Sequence, residues 1–145
     1  MITVNKINSP EDFSFSRKIR YQVFVIEQKV PPEDEIDEYE DASIHFIAKL
    51  NGTPSGTARY RITDTGVKLE RFAVLNELRG KGIGSALVEA VLEDINNNPE
   101  ASGKPIYLHS QVDAIFLYTK YGFQKTGELF DECGIMHSKM IKSPA

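Results

Sequence analysis

The chain has 145 residues, 41% of them hydrophobic, a formal net charge of −4 and a single cysteine. That length suits one domain, no apolar run approaches the roughly 18 to 20 residues of a membrane span, and the first ten residues lack the basic head and apolar stretch of a secretory signal. Cys133 has no disulfide partner, three scattered histidines form no metal-ligand spacing, and the negative charge opposes binding to a phosphate backbone. Metal, membrane and nucleic acid are therefore set aside, and a soluble cytoplasmic protein is expected.

Thr3 to Ile7 alternates weakly and reads as a first strand. Ser9, followed by Pro10 and by Asp12 three residues on, has the form of a helix N-cap, and apolar positions from Phe13 through Ile19, Val23 and Phe24 recur at helical spacing. Residues 29 to 41 hold Pro31, Pro32 and seven acidic side chains, so they are expected to form an exposed loop or a broken helix. Ser43 to Leu50, Gly56 to Ile62 and Val67 to Leu75 read as three antiparallel strands joined at Asn51-Gly52 and Asp64-Thr65-Gly66. Ile83, Leu87, Val88, Val91, Leu92 and Ile95 mark a second amphipathic helix. Ile106 to Ser110 is a short strand, Val112 to Tyr121 a third helix, and Phe123 to Ile141 a closing pair of strands. Strands punctuated by single helices indicate an α/β or α+β domain whose mixed sheet is covered on both faces.

The stretch from Glu70 to Ser85 is a strand, a short connector, and glycines opening a helix. Gly80, Gly82 and Gly84 remove side chains where backbone N–H groups must approach a ligand closely, and the helix start adds unpaired donors and a positive dipole. That is an anion cradle, built chiefly of backbone. A P-loop would need a glycine where Leu75 stands and Ser or Thr where Gly82 stands; a dinucleotide fingerprint would need Gly or Ala at Leu87. Both fail on spacing.

Arg79-Gly80-Lys81-Gly82-Ile83-Gly84 resembles motif A of the GNAT superfamily of acyl-CoA-dependent N-acetyltransferases, and Ala114 to Phe123, ending Leu117-Tyr118-Thr119-Lys120-Tyr121-Gly122-Phe123, resembles motif B. Arg20 to Gln28 and Glu35-Ile36-Asp37 are similar to the ElaA-like branch. The resemblance implies a mixed, mostly antiparallel central sheet with helices on both faces and its fourth and fifth strands splayed. It further implies acetyl transfer from acetyl-CoA to the primary amine of a small molecule by direct attack, without a metal, and it alone suggests a homodimer.

Carried over by the same resemblance, Phe72, Ala73 and Val74 hold the pantetheine arm, with Val74 N–H as oxyanion donor. Arg79, Gly80, Lys81, Gly82, Ile83, Gly84 and Ser85 hold the diphosphate, and Tyr118 protonates the departing thiolate. An amine nucleophile must also lose a proton. Glu70 and His109 both stand as general-base candidates, ahead of His45 and His137. Glu27 is a candidate for binding the amine, and the acidic run could either attract a cation or serve as a solvated loop. Asp113 departs from the asparagine common in motif B. The alternative function is a noncatalytic CoA-binding sensor that docks to a partner protein.

Overall fold

Ser9 Oγ accepts the N–H of Asp12 at 3.2 Å, so the expected cap forms and opens helix α1 (Pro10–Arg20) behind strand β1 (Ile2–Lys6). The computed structural model describes residues 1–142. The helix does not run on evenly: at Tyr21–Glu27 it widens into a π-helix, where Gln28 N–H reaches back to Val23 C=O at 3.0 Å. The wider coil buries Val23 and leaves Tyr21 and Ile26 exposed, a shift that 3.6-residue periodicity does not encode. After it come α2 (Pro32–Glu35), β2 (Ile44–Leu50), β3 (Thr53–Thr63), β4 (Gly66–Val74), α3 (Ile83–Asn96), β5 (Ile106–Gln111), α4 (Ile115–Thr119), β6 (Gln124–Glu132) and β7 (Ile135–Lys142). The third expected helix is thus shorter than its pattern, because Val112–Ala114 forms a separate 3₁₀ turn before α4.

The seven strands form one sheet in the order β1-β2-β3-β4-β5-β7-β6, antiparallel throughout except for the parallel pair β4–β5. Alternation along the strands sends Phe46, Tyr60, Leu69, Leu108 and Met140 to one face, where they meet Leu87, Val88 and Val91 of α3. Each fully buried aliphatic side chain there contributes roughly 1.5–3 kcal/mol. On the opposite face Ile19 and Val23 pack against Ile47 and Ala73.

The feature that makes a site lies in the middle. In β4, Glu70 pairs with Arg59 and Ala73 with Thr57, so Arg71 and Phe72 together oppose Ala58 in a bulge. Arg71 takes φ +57, a conformation that costs a non-glycine residue about 1–3 kcal/mol. The bulge bends β4, and pairing with β5 ends where it begins. Val67, Lys68 and Leu69 align with Ile106, Tyr107 and Leu108, and beyond them the two strands part.

Candidate active site

The parted strands open a cavity of about 180 Å³ between β4, β5, the end of the π-helix and the β6–β7 turn. Backbone direction follows from one bond. Leu75 N–H donates to Ser55 C=O at 3.0 Å, so by strand alternation Val74 turns its N–H and C=O away from β3 and toward the gap. The carbonyl is capped by Arg79 Nε at 3.0 Å, whereas the N–H has no partner strand beyond Leu69.

At the end of β4, a 3₁₀ turn (Asn76–Leu78) leads to α3, with Gly80 and Gly82 at φ +80 and +89. These left-handed angles suit glycine, and a Cβ at Gly80 would meet nothing within 4 Å, so the space in front of the loop is open. The first helical bond of α3 runs from Ala86 N–H to Gly82 C=O, 3.0 Å, and no side chain caps the helix. Ile83, Gly84 and Ser85 therefore present free N–H donors at the positive end of a 14-residue helix, as an anionic diphosphate requires. Lys120 adds a cation that was not among the expected ligands: its Nζ donates to Ser85 Oγ at 2.8 Å. Only its place directly after Tyr118-Thr119 in motif B signalled it.

Tyr118 lines the cavity from α4, its ring held edge-on by Phe72 (5.9 Å) and Phe123 (6.0 Å). Among the described residues its hydroxyl has no hydrogen-bond partner, and no fully buried side-chain polar atom is left unpaired, so the hydroxyl is reached from the cavity. Burial pushes its pKa up, keeping it protonated across the neutral range.

The two base candidates differ in their surroundings. Glu70 is half-buried and accepts from Arg59 Nε at 2.8 Å and Arg61 Nε at 3.1 Å, with Lys68 Nζ at 3.2 Å. Burial works against its charge, but these cations outweigh it and hold the carboxyl below the usual carboxylate range. A carboxylate so occupied is a weak proton acceptor. His109 stands one residue past the last β4–β5 pair, its Nδ1 3.1 Å from Glu132 Oε2. The hydrogen bond from His109 is the main reason Glu132 stays below the usual carboxylate range. An ionised carboxylate only accepts, so Nδ1–H donates and the neutral imidazole keeps its lone pair on Nε2. Glu132 carried no motif in the sequence; the β5–β7–β6 pairing alone brings it to His109. His45 and His137 are instead tied to backbone carbonyls, of Glu40 at 2.8 Å and of Ile135 at 2.7 Å.

Glu27, the candidate for binding the amine, holds Arg79 with both its oxygens, at 2.6 and 2.7 Å, joining the π-helix to the cradle loop. The acidic run is a solvated loop only in part: Glu33, Asp34, Glu38 and Asp41 are exposed. Glu35, Asp37 and Glu40 fold inward onto Arg20 and Arg59, which are 2% and 0% exposed, so the run neutralises buried guanidiniums that would otherwise be very costly. Gln28 and Gln111 exchange amide hydrogen bonds at 3.2 and 2.8 Å, strapping the π-helix to the end of β5.

A GNAT acetyltransferase domain model matches residues 11–144. The chain belongs to the GNAT acetyltransferase family. It is 39% identical over 125 residues to YjcF, an uncharacterized N-acetyltransferase of Bacillus subtilis (strain 168), covering 86% of this chain and 87% of that one. The crystal structure of Escherichia coli ElaA matches with a TM-score of 0.86 at 27% identity, over 99% of this chain and 100% of that one. An acyl-CoA N-acyltransferase from Pseudomonas aeruginosa matches with a TM-score of 0.83 at 25% identity, over 99% of each chain. The GNAT fold and the ElaA-like branch are thus those of this protein, and GNAT enzymes use acetyl-CoA. No helix among the described residues is long and apolar enough to cross a membrane, and no group of three or more His, Cys, Asp or Glu there is arranged to hold a metal ion.

Proposed function

We propose that this GNAT domain moves the acetyl group of acetyl-CoA to the primary amine of a small molecule by direct attack, with no covalent enzyme intermediate. The observation that carries this reading is the cavity opened where β4 parts from β5: Tyr118 lines it with an unpartnered hydroxyl, and Val74, farther along the parted strand, turns its N–H away from β3.

The N–H groups of Ile83, Gly84 and Ser85, with Lys81 and Lys120 beside them, hold the diphosphate; Phe72, Ala73 and Val74 offer their backbone to the pantetheine arm. His109 Nε2 takes the proton shed as the amine lone pair forms the C–N bond. Val74 N–H stabilises the charge gathering on the carbonyl oxygen, and a preorganised donor of this kind is worth about 3–4 kcal/mol. As the C–S bond breaks, the Tyr118 hydroxyl donates its proton to the departing thiolate. Glu132 holds the His109 tautomer that leaves Nε2 free.

Thermal shifts with acetyl-CoA and with CoA, combined with thiol release over a panel of amines, test the proposal. Stabilisation plus turnover with at least one amine is expected. Stabilisation without turnover of any amine would assign the chain to CoA sensing, and no stabilisation would remove the CoA reading altogether.

A further inference from the structure

The buried ionic network behind the cavity closes without Arg71. Glu35 accepts from Arg20 Nε at 2.9 Å, Glu40 from Arg20 Nη1 at 2.9 and 3.0 Å and from Arg59 Nη1 at 2.6 Å, and Asp37 from Arg59 Nη1 at 3.1 Å. Arg59 also holds Glu70, which Arg61 Nε at 3.1 Å and Lys68 Nζ at 3.2 Å share, so four cations already face these four carboxylates. Arg71 joins this set as a surplus cation through longer contacts: Nε to Glu35 Oε2 at 3.2 Å, Nη2 to Glu35 C=O at 3.1 Å and Nη2 to Asp37 Oδ2 at 3.2 Å. Those bonds use the donors on Nε and Nη2 and fix the plane of the guanidinium. The two N–H groups on Nη1 have no hydrogen-bond partner among the described residues.

Arg71 lines the cavity and is 23% exposed, and its strained backbone sits in the bulge that parts β4 from β5. The other charges there are mostly spent. Glu35 and Glu70 are held by buried arginines, and Glu132 by His109. Lys68 has donors to spare, since Nζ makes a single contact, to Glu70 at 3.2 Å. Asp34, on α2, also lines the cavity but is exposed to solvent, so its field is screened. What the inner wall lacks is an anion to meet an oriented guanidinium edge and a nearby ammonium.

We infer that the acceptor is an amine that also carries a carboxylate, and that Arg71, through Nη1, receives that carboxylate with Lys68 beside it. The inference rests on the acetyl-transfer reading above and names the acceptor class for that same site. It reverses one of the two readings of the acidic run: Glu35 and Asp37 do not draw in a cation but aim a cation at the acceptor.

Thiol release with acetyl-CoA should be measured on matched acceptors: glycine, β-alanine and γ-aminobutyrate, each against its amide and its decarboxylated amine. At least one carboxylated acceptor should exceed its matched partners by roughly ten- to a hundredfold in kcat/KM, the span of one or two charge-assisted hydrogen bonds. In Arg71→Gln that ratio should collapse, chiefly through KM for the carboxylated acceptor, with Arg71→Lys restoring part of it. Turnover of the uncharged partners as fast as the acids, or a ratio that survives in Arg71→Gln, would overturn this inference while leaving acetyl transfer standing. No turnover of any amine, with acetyl-CoA still stabilising the protein, would overturn both.

Discussion

Glu27 and Arg79 face each other as a fork on a fork, two bonds of 2.6 and 2.7 Å from the end of the π-helix to the loop that opens α3. Arg79 also gives Nε to Val74 C=O and Nη1 to Asn76 Oδ1, so four of its bonds are made within the protein. A diphosphate must trade against Glu27 for that guanidinium. The pair is solvent-accessible, 40% and 35% exposed, and such pairs are worth at most about 1 kcal/mol. Glu27→Gln should therefore tighten CoA binding by up to roughly fivefold at low salt, with the gain shrinking at high salt, as calorimetric titration would read. Weaker binding in Glu27→Gln would mean that the carboxylate instead holds Arg79 in its productive place.

Tyr118→Phe separates packing from chemistry. The ring keeps its edge contacts with Phe72 and Phe123, and the lost hydroxyl has no partner among the described residues, so stability should change by less than about 1 kcal/mol. Loss of a positioned proton donor lowers kcat by roughly 10² to 10⁴. Thiol-release kinetics should show that fall with little change in KM for acetyl-CoA. A kcat within a few-fold of wild type would remove Tyr118 from the chemistry.

The elements with a local cause were legible. Ser9 capped its helix, Asn51-Gly52 made a turn with φ +52 and +84, and the glycines before α3 formed the open loop that their spacing implied. The rest depended on pairings that no local pattern records. Nothing in the apolar spacing distinguishes an α-helix from the π-helical turn at Tyr21–Glu27, and nothing about an arginine announces a left-handed bulge at residue 71. The acidic run is the sharpest case. Three of its carboxylates, Glu35, Asp37 and Glu40, turn inward only because β3 carries Arg59 inward and α1 carries Arg20 inward, which nothing in the run itself records. Glu132 was invisible for the same reason, since 23 residues separate it from His109.

Stability should fall with acid in two stages. Burial holds the His45 imidazole below its ordinary value of 6.5, with Nε2–H donated to Glu40 C=O. The folded state thus binds this proton less readily than the unfolded one, so His45's share of stability is complete above 6.5 and lost as pH falls below it. Asp37, Glu40 and Glu70 are likewise depressed, because their arginine partners outweigh burial. Their share is complete above about pH 4 to 4.5, the unfolded range, and disappears as pH drops through the lowered folded values. Urea midpoints across a pH series should therefore decline gently below 6.5 and steeply below about 4. His45→Gln, which keeps an N–H for the carbonyl, should flatten the first stage only. Stability that rises as pH falls from 6.5 toward about 5 would contradict a depressed imidazole at His45.

Gly82→Ala tests the cradle against the fold. The residue sits at φ +89, where a Cβ costs about 1–2 kcal/mol, yet the nearest atom that Cβ would meet is Ile2 Cδ1 at 3.9 Å. The protein should therefore stay folded, with a modest fall in melting temperature. If the N–H groups of Ile83, Gly84 and Ser85 hold the diphosphate, a methyl at the head of that row and a loop straining toward negative φ displace at least one charge-assisted bond, worth roughly 1.5–3 kcal/mol. The dissociation constant for CoA should then rise by about ten- to a hundredfold, while dephosphorylated pantetheine, which has no diphosphate to lose, binds as it does to wild type. Equal losses for both ligands would place the damage in the strand gap and not in the cradle.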